Sequence, residues 1–261
     1  MDYLTPDWPA PASVKAIVTT RQGGDSLPPY DSLNPALHVG DDSAHVMANR
    51  ERIARVIQSS NAPVSIQWLN QTHTTRVIES SDLAVDSTHF GDYSNADACF
   101  TTQANIACAV MTADCLPVLL CRQDGTAVAA AHAGWRGLLD GIIEATVETL
   151  NTGSTSPIMA WLGPAIGPQN FEVGCELRDL FVNAAHSDDK IATQKAFISA
   201  PHNKYFADIY QLARLRLARL NIHQVFGGNL CTVADKQRFF SYRRDGISGR
   251  MASLIWIDKP T

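Results

Sequence analysis

Two periodicities alternate along the chain and divide it into stretches of different character. Val14–Thr19 is an apolar run rich in β-branched residues, which predicts a strand. Arg21–Gly40 then loses all periodicity around Gly23, Gly24, Pro28, Pro29, Asn34 and Pro35, and reads as a long loop of the kind that often carries function. Asp41, Asp42 and Ser43 are cap formers ahead of Val46, Ile53, Ala54 and Ile57, a spacing that predicts a helix ending near Ser59. Short β-type runs follow at Val64–Trp68, Arg76–Glu79, Ala98–Thr101, Ile106–Thr112, Val118–Arg122 and Ala127–His132. Helical spacing returns through Leu138, Ile142, Ala145 and Leu150, with Gly134 and Gly137 suited to a sharp turn from strand into helix. The carboxyl half repeats this grammar. Ile158–Leu162 predicts a strand, Cys175–Ala185 a helix, and Asp208–Leu220 an amphipathic helix with Ile209, Leu212, Ala213, Leu217 and Leu220 inward. Gln224–Phe226, Phe239–Arg243 and Ser253–Ile257 read as closing strands.

No linker, charge block or repeat divides the 261 residues, so residues 1–261 are expected to form one mixed domain of strands and helices. Hydrophobic residues make up 45% and charged residues 18%, and the net charge is -5, values that argue for a globular protein and against binding nucleic acid through its phosphates. The six cysteines form no CxxC pair, which favours reduced thiols and a cytoplasmic setting. No apolar leader opens the chain and no run reaches the ~20 apolar residues of a membrane span, so no membrane partner is expected.

Against this background Met111–Gly141 stands out, because Asp114, Cys115 and His132 interrupt two otherwise dry runs where an uncompensated polar group costs several kcal/mol. A third donor, His73, sits in the turn between two predicted strands, with Gln71 two residues earlier on the same face. Two imidazoles and a thiolate suit a catalytic zinc with an open fourth position. Three other readings stay open on spacing alone. Cys115 and His132 could be ordinary core groups, they could be the nucleophile and base of a cysteine hydrolase, or a fourth ligand could close a zinc-stabilised binding module.

Arg136, flanked by Gly134 and Gly137 at the start of a predicted helix, is placed to receive an anion, and Arg21 in the glycine-rich loop has similar potential. Arg238–Arg250 (RFFSYRRDGISGR) sets paired aromatics beside paired arginines, a composition that fits base stacking and phosphate binding or, more simply, a two-faced strand with a turn at Asp245–Gly246. Leu162–Pro168 reads as a rigid turn able to wall a pocket.

Taken together, Thr20–Gly24 (TRQGG), Leu27–Asn34 (LPPYDSLN), His38–Asp41, Gln71–His73, Thr112–Pro117 (TADCLP), His132–Gly137 (HAGWRG), Leu162–Gly174 (LGPAIGPQNFEVG), Ala207–Arg214 (ADIYQLAR) and Phe239–Gly246 (FFSYRRDG) resemble the YfiH family. That family has been grouped with laccases as polyphenol oxidases, then with purine nucleoside phosphorylases and a peptidoglycan editing factor. The resemblance implies an α+β fold, a layered sandwich of mixed β-sheets flanked by helices, similar to the cytotoxic necrotizing factor deamidases. It implies that His73, Cys115 and His132 hold zinc, with copper as the alternative ion. It also implies phosphorolysis of adenosine, inosine and methylthioadenosine to base and ribose 1-phosphate, with adenosine deamination as a companion reaction. In that setting Cys115 and Asp114 are the candidate catalytic groups, and Arg21, Asn34, Gln71 and Arg136 the candidate substrate-binding groups. Arg21 or Arg136 is expected to hold phosphate against C1′, and Asp114 to handle protons at C6 during deamination. The expected partners are a purine nucleoside and phosphate, on a monomer or weak homodimer. Two other activities are implied by branches of the family: removal of L-serine from UDP-MurNAc precursors by an amidase, and laccase-like oxidation. The laccase reading is weakened by the lack of any His-X-His motif.

Overall fold

A computed structural model of the chain describes residues 1–58, 63–80 and 94–258. In chain order the strands are β1 (Tyr3–Leu4), β2 (Val14–Thr19), β3 (Ser65–Gln67), β4 (Val77–Glu79), β5 (Ala98–Thr101), β6 (Ile106–Thr112) and β7 (Leu116–Arg122). They continue as β8 (Val128–Ala133), β9 (Ile158–Leu162), β10 (Glu172–Gly174), β11 (Phe197–Ala200), β12 (Lys204–Ala207), β13 (Val225–Gly227) and β14 (Met251–Ile257). The helices are α1 (Ser43–Ile57), α2 (Trp135–Asp140), α3 (Ile142–Asn151), α4 (Cys175–Ala184), α5 (Lys190–Lys195), α6 (Ile209–Arg219) and α7 (Tyr242–Asp245).

Among the described residues these strands build a five-stranded sheet in the order β1-β2-β14-β6-β3, a six-stranded sheet in the order β13-β9-β7-β8-β5-β4, and a small sheet β10-β12-β11. Both large sheets are mixed: β3 runs parallel to β6, β4 to β5 and β13 to β9, while the remaining pairs are antiparallel. The period-two alternation of side chains then assigns the layers. On β7, Leu119 and Cys121 meet Val110, Val128, Ala130 and Ile255 between the two large sheets, whereas Leu116, Val118 and Leu120 face Leu138, Ile142 and Leu217 on the helical side. On β14, Leu254 and Trp256 turn the other way, onto Ile53 and Ile57 of α1. The result is the expected α+β sandwich, with α1 outside one large sheet and α2, α3 and α6 outside the other. No described helix is long and apolar enough to cross a membrane, and all six cysteines are free thiols.

Most predicted elements fall within a residue or two of the observed ones, and two do not. The helix expected to run continuously past Leu138 is two helices, broken at Gly141, whose φ of 101° needs a residue without a Cβ. Phe239–Arg243 is not a strand: Phe239 and Phe240 are fully buried between the sheets, and the Ser241 side chain accepts from Arg244 N to cap the short helix α7. Leu220, at the end of α6, is half-buried and packs against the same core as Ile209, Leu212, Ala213 and Leu217, as expected. The α1 helix starts at its Asp42 cap as expected and is assigned to Ile57, while the predicted terminus at Ser59 lies outside the described residues.

Candidate metal centre

Strand ends from both large sheets meet at one end of the sandwich, and the three candidate donors sit there. His73 follows β3 in a turn at φ 60°, a left-handed conformation that few side chains accept without a reason. The turn is pinned by Gln71, whose side-chain amide imitates a strand: its Nε2 donates to Met111 O at 2.8 Å and its Oε1 accepts from Met111 N at 2.6 Å. Cys115 lies in the tight connection between β6 and β7, just after Asp114 at φ 84°. His132 is on β8, opposite Pro117 of β7, so the antiparallel register sets its ring beside the Cys115 turn.

The donor atoms of His73, Cys115 and His132 all lie within 4.8 Å of one another, and Cys115 Sγ is 3.9 Å from His73 Nε2. A tetrahedral zinc would bring sulfur and nitrogen to about 3.5 Å, so a small rotation closes the set. The two rings meet edge to face with centroids 4.8 Å apart. Gly134 forms the floor, since a Cβ there would stand 3.0 Å from Cys115 Sγ, 3.2 Å from His73 Cδ2 and 3.5 Å from His132 Nε2. The residues present therefore fit an ion with three protein ligands.

Behind the donors stands Asp97, a residue that sequence reasoning missed. It is fully buried. His132 Nδ1 donates to its Oδ1 at 2.7 Å, which leaves Nε2 as the free donor atom of the ring. Its Oδ2 accepts from Thr72 N at 3.1 Å, Thr74 N at 2.7 Å and Thr74 Oγ1 at 3.0 Å, so the same carboxylate fixes the backbone on both sides of His73. The only signal in the sequence is an acid at the mouth of the apolar strand β5.

Electrostatics follow from this packing. Burial would raise the Asp97 carboxyl, but the bonds from His132 and Thr74 outweigh it and hold the group at about 2. Burial also opposes charge on Cys115, yet His132 and His73 beside it bring the thiol down to about 6. For His132 burial again works against the charged form, and Cys115 with Asp97 overcomes it, holding the imidazole at about 9. Without a metal, Cys115 and His132 thus favour each other's charged forms, thiolate beside imidazolium.

Next to Cys115 opens a cleft of about 150 Å³ lined by Trp135, Ile166, Phe171, Ile209, Tyr242 and Arg243, with Ala113 and Asp114 completing its wall. Ile166 is held in place by its N–H donating to Asp114 O at 2.9 Å, part of the turn after β9 that Tyr210 fastens through Ala165 N.

The other predicted site residues are dispersed. Asp114 lines the cleft, and its carboxylate accepts from Thr232 Oγ1 at 2.6 Å, Ser241 Oγ at 3.0 Å and Arg243 N at 2.6 Å. Asn34 is fully buried; its Nδ2 donates to Ala36 O and Asp41, and its Oδ1 accepts from Ala36 N and Arg250 N. Arg21 is bound within its own loop, pairing with Asp31 at 3.3 Å and lying over the Phe240 ring. Arg136 is exposed, with its guanidinium over Trp135, a wall residue of the cleft. His73, Cys115 and His132 come together, with Gln71 supporting them; Arg21 and Asn34 belong to the loop framework.

Residues 15–258 match the model of the multi-copper polyphenol oxidoreductase laccase family. The chain is 48% identical over 256 residues to a Pseudomonas aeruginosa protein named a purine nucleoside phosphorylase, covering 98% of each. It is also 48% identical over 254 residues to the purine nucleoside phosphorylase YfiH of Escherichia coli K12, covering 97% of this chain and 98% of that one. Among solved structures, a Neisseria meningitidis protein of the DUF152 family superposes with a TM-score of 0.88 at 45% identity, over 99% of this chain and 100% of that one.

Proposed function

The chain belongs to the multi-copper polyphenol oxidoreductase laccase family, and from that premise we propose that it is a zinc-dependent purine nucleoside phosphorylase, acting on adenosine, inosine and methylthioadenosine and deaminating adenosine as a companion reaction. Support comes from relatives of that name at 48% identity. The observation that carries the reading is the convergence of His73, Cys115 and His132 beside an aromatic-walled cleft.

In phosphorolysis a phosphate oxygen forms a bond to C1′, the C1′–N9 bond breaks, and its electron pair leaves with the purine, which takes up a proton. Trp135, Phe171 and Tyr242 offer planar faces to the base, and Ile166 and Ile209 exclude water around it. A zinc ion held by His73, Cys115 and His132 would supply a Lewis acid with one position left open. Asp97 keeps His132 Nε2 turned toward the donor set and holds the His73 turn. Asp114, with its carboxylate committed to Thr232, Ser241 and Arg243, acts in this reading as a positioning residue for the cleft wall rather than as the proton carrier expected from its place beside Cys115.

A second reading has a specific observation behind it. Cys115, His132 and Asp97 line up as nucleophile, base and orienting acid, and the thiol is already brought down to about 6. That arrangement suits amide hydrolysis, with the L-serine amide of a UDP-MurNAc precursor as the substrate implied by the family resemblance.

The test is to incubate the metal-analysed protein with adenosine, inosine and phosphate, with and without chelator, and separately with UDP-MurNAc-L-Ser, and to identify the products by mass spectrometry. Phosphate-dependent release of base and ribose 1-phosphate, lost on chelation, is the expected result. Serine release that survives chelation and stops on thiol alkylation would replace the phosphorylase with the amidase.

A further inference from the structure

The register of the five-stranded sheet brings another basic side chain to the same end of the sandwich. Met251 of β14 pairs with Thr112 of β6, so Arg250 falls beside Ala113, a wall residue of the cleft two positions before Cys115. Its backbone N–H donates to Asn34 Oδ1 at 3.0 Å. One arm of its guanidinium is anchored: Nη1 donates to Ser248 O at 2.8 Å and Gly249 O at 3.0 Å, with Ser248 Oγ at 3.5 Å. Among the described residues, Nε and Nη2 find no protein acceptor and no carboxylate pairs with the group.

Arg250 is half-buried. Burial pulls its guanidinium below the ordinary value, and the charges that oppose this most are those of Cys115 and Asp114. Both are committed elsewhere, Cys115 to the histidines and Asp114 to its three donors. A guanidinium anchored by one arm, with Nε and Nη2 left open, suits a tetrahedral oxyanion.

We propose that Arg250 binds the inorganic phosphate consumed in phosphorolysis. The identity of the anion as co-substrate rests on the phosphorylase reading above, whereas the anion site itself does not. It displaces the two arginines first expected in this role, since Arg21 is paired within its loop and Arg136 lies on the surface over Trp135.

Calorimetric titration of inorganic phosphate into the metal-analysed wild type and into Arg250→Ala and Arg250→Lys reads the site without turnover. Melting temperature and metal content are measured for each variant. The expected result is phosphate binding about ten-fold weaker in Arg250→Ala and a smaller loss in Arg250→Lys, which keeps the charge but not the fork. In steady-state phosphorolysis the same variants raise KM for phosphate and leave KM for the nucleoside within about two-fold. Unchanged phosphate affinity in folded, metal-loaded Arg250→Ala and Arg250→Lys overturns the proposal. Phosphate binding that falls in the variants, with no release of base by the wild type, keeps the site and removes the phosphorylase reading. Wild-type turnover with an unchanged phosphate KM in both variants does the reverse.

Discussion

Asp97 and Asp114 stand at the same end of the sandwich, each with its carboxylate saturated by hydrogen bonds, and they serve different parts of the molecule. Asp97 grips His132 and the backbone around His73, groups whose far sides are the donor atoms of the candidate metal centre. Asp114 grips Thr232, Ser241 and Arg243, which fasten the segment before β14 onto the Cys115 turn. Nothing in the chemistry of the two side chains separates them. What differs is what their partners present on the opposite side: open donor atoms in one case, further framework in the other.

Removing each carboxylate should split these roles. The largest effect is expected for Asp97→Ala, which leaves a buried imidazolium and three N–H or O–H donors unpaired: about 3–5 kcal/mol of unfolding free energy and about 10–100-fold in metal affinity. Urea denaturation and competition with a chelating dye measure the two. Asp114→Ala is expected to cost about 1–3 kcal/mol of stability while metal affinity stays at the wild-type level; a matching loss of metal would erase the contrast between the two acids. A smaller and more selective effect belongs to Gly134→Ala. Its φ of -57° admits alanine, but the added methyl enters the space between Cys115 and His73, so metal affinity should fall about ten-fold with unfolding free energy within about 1 kcal/mol.

The mildest test is pH. The Asp97 carboxyl is held at about 2 against an ordinary 3.8, so its contribution is fully present above the ordinary value and is lost as pH falls through about 2. Melting temperatures of the metal-free wild type should therefore drop over that acid interval, and those of Asp97→Asn should drop less.

The strands that carry the centre are legible because β6, β7 and β8 are nearly pure apolar runs, against which Cys115 in the turn between β6 and β7 and His132 in β8 stand out. His73 was legible as a candidate through its turn and its neighbour Gln71. Asp97 was not, because its partner His132 is 35 residues away and no short spacing links an acid before one strand to an imidazole on another. Arg250 appeared in the sequence only as the end of a basic and aromatic segment, and its position depends on the register of β14 against β6. That segment also shows why the strand expected at Phe239–Arg243 failed. Two buried phenylalanines imitate strand alternation, while Ser241 and the bond from Arg243 N to Asp114 turn the backbone into a helical cap.

The placing of β14 has a consequence for synthesis. It is the last described strand in sequence, yet it lies between β2 and β6, bonded to both along most of their lengths. A ribosome that has made everything up to residue 250 has therefore produced two unsatisfied strand edges and no way to join them. The wall that sets Arg250 beside the Cys115 turn also waits on β14, so a nascent chain should need residues 251–257 clear of the ribosome before it can take up an ion in its finished geometry.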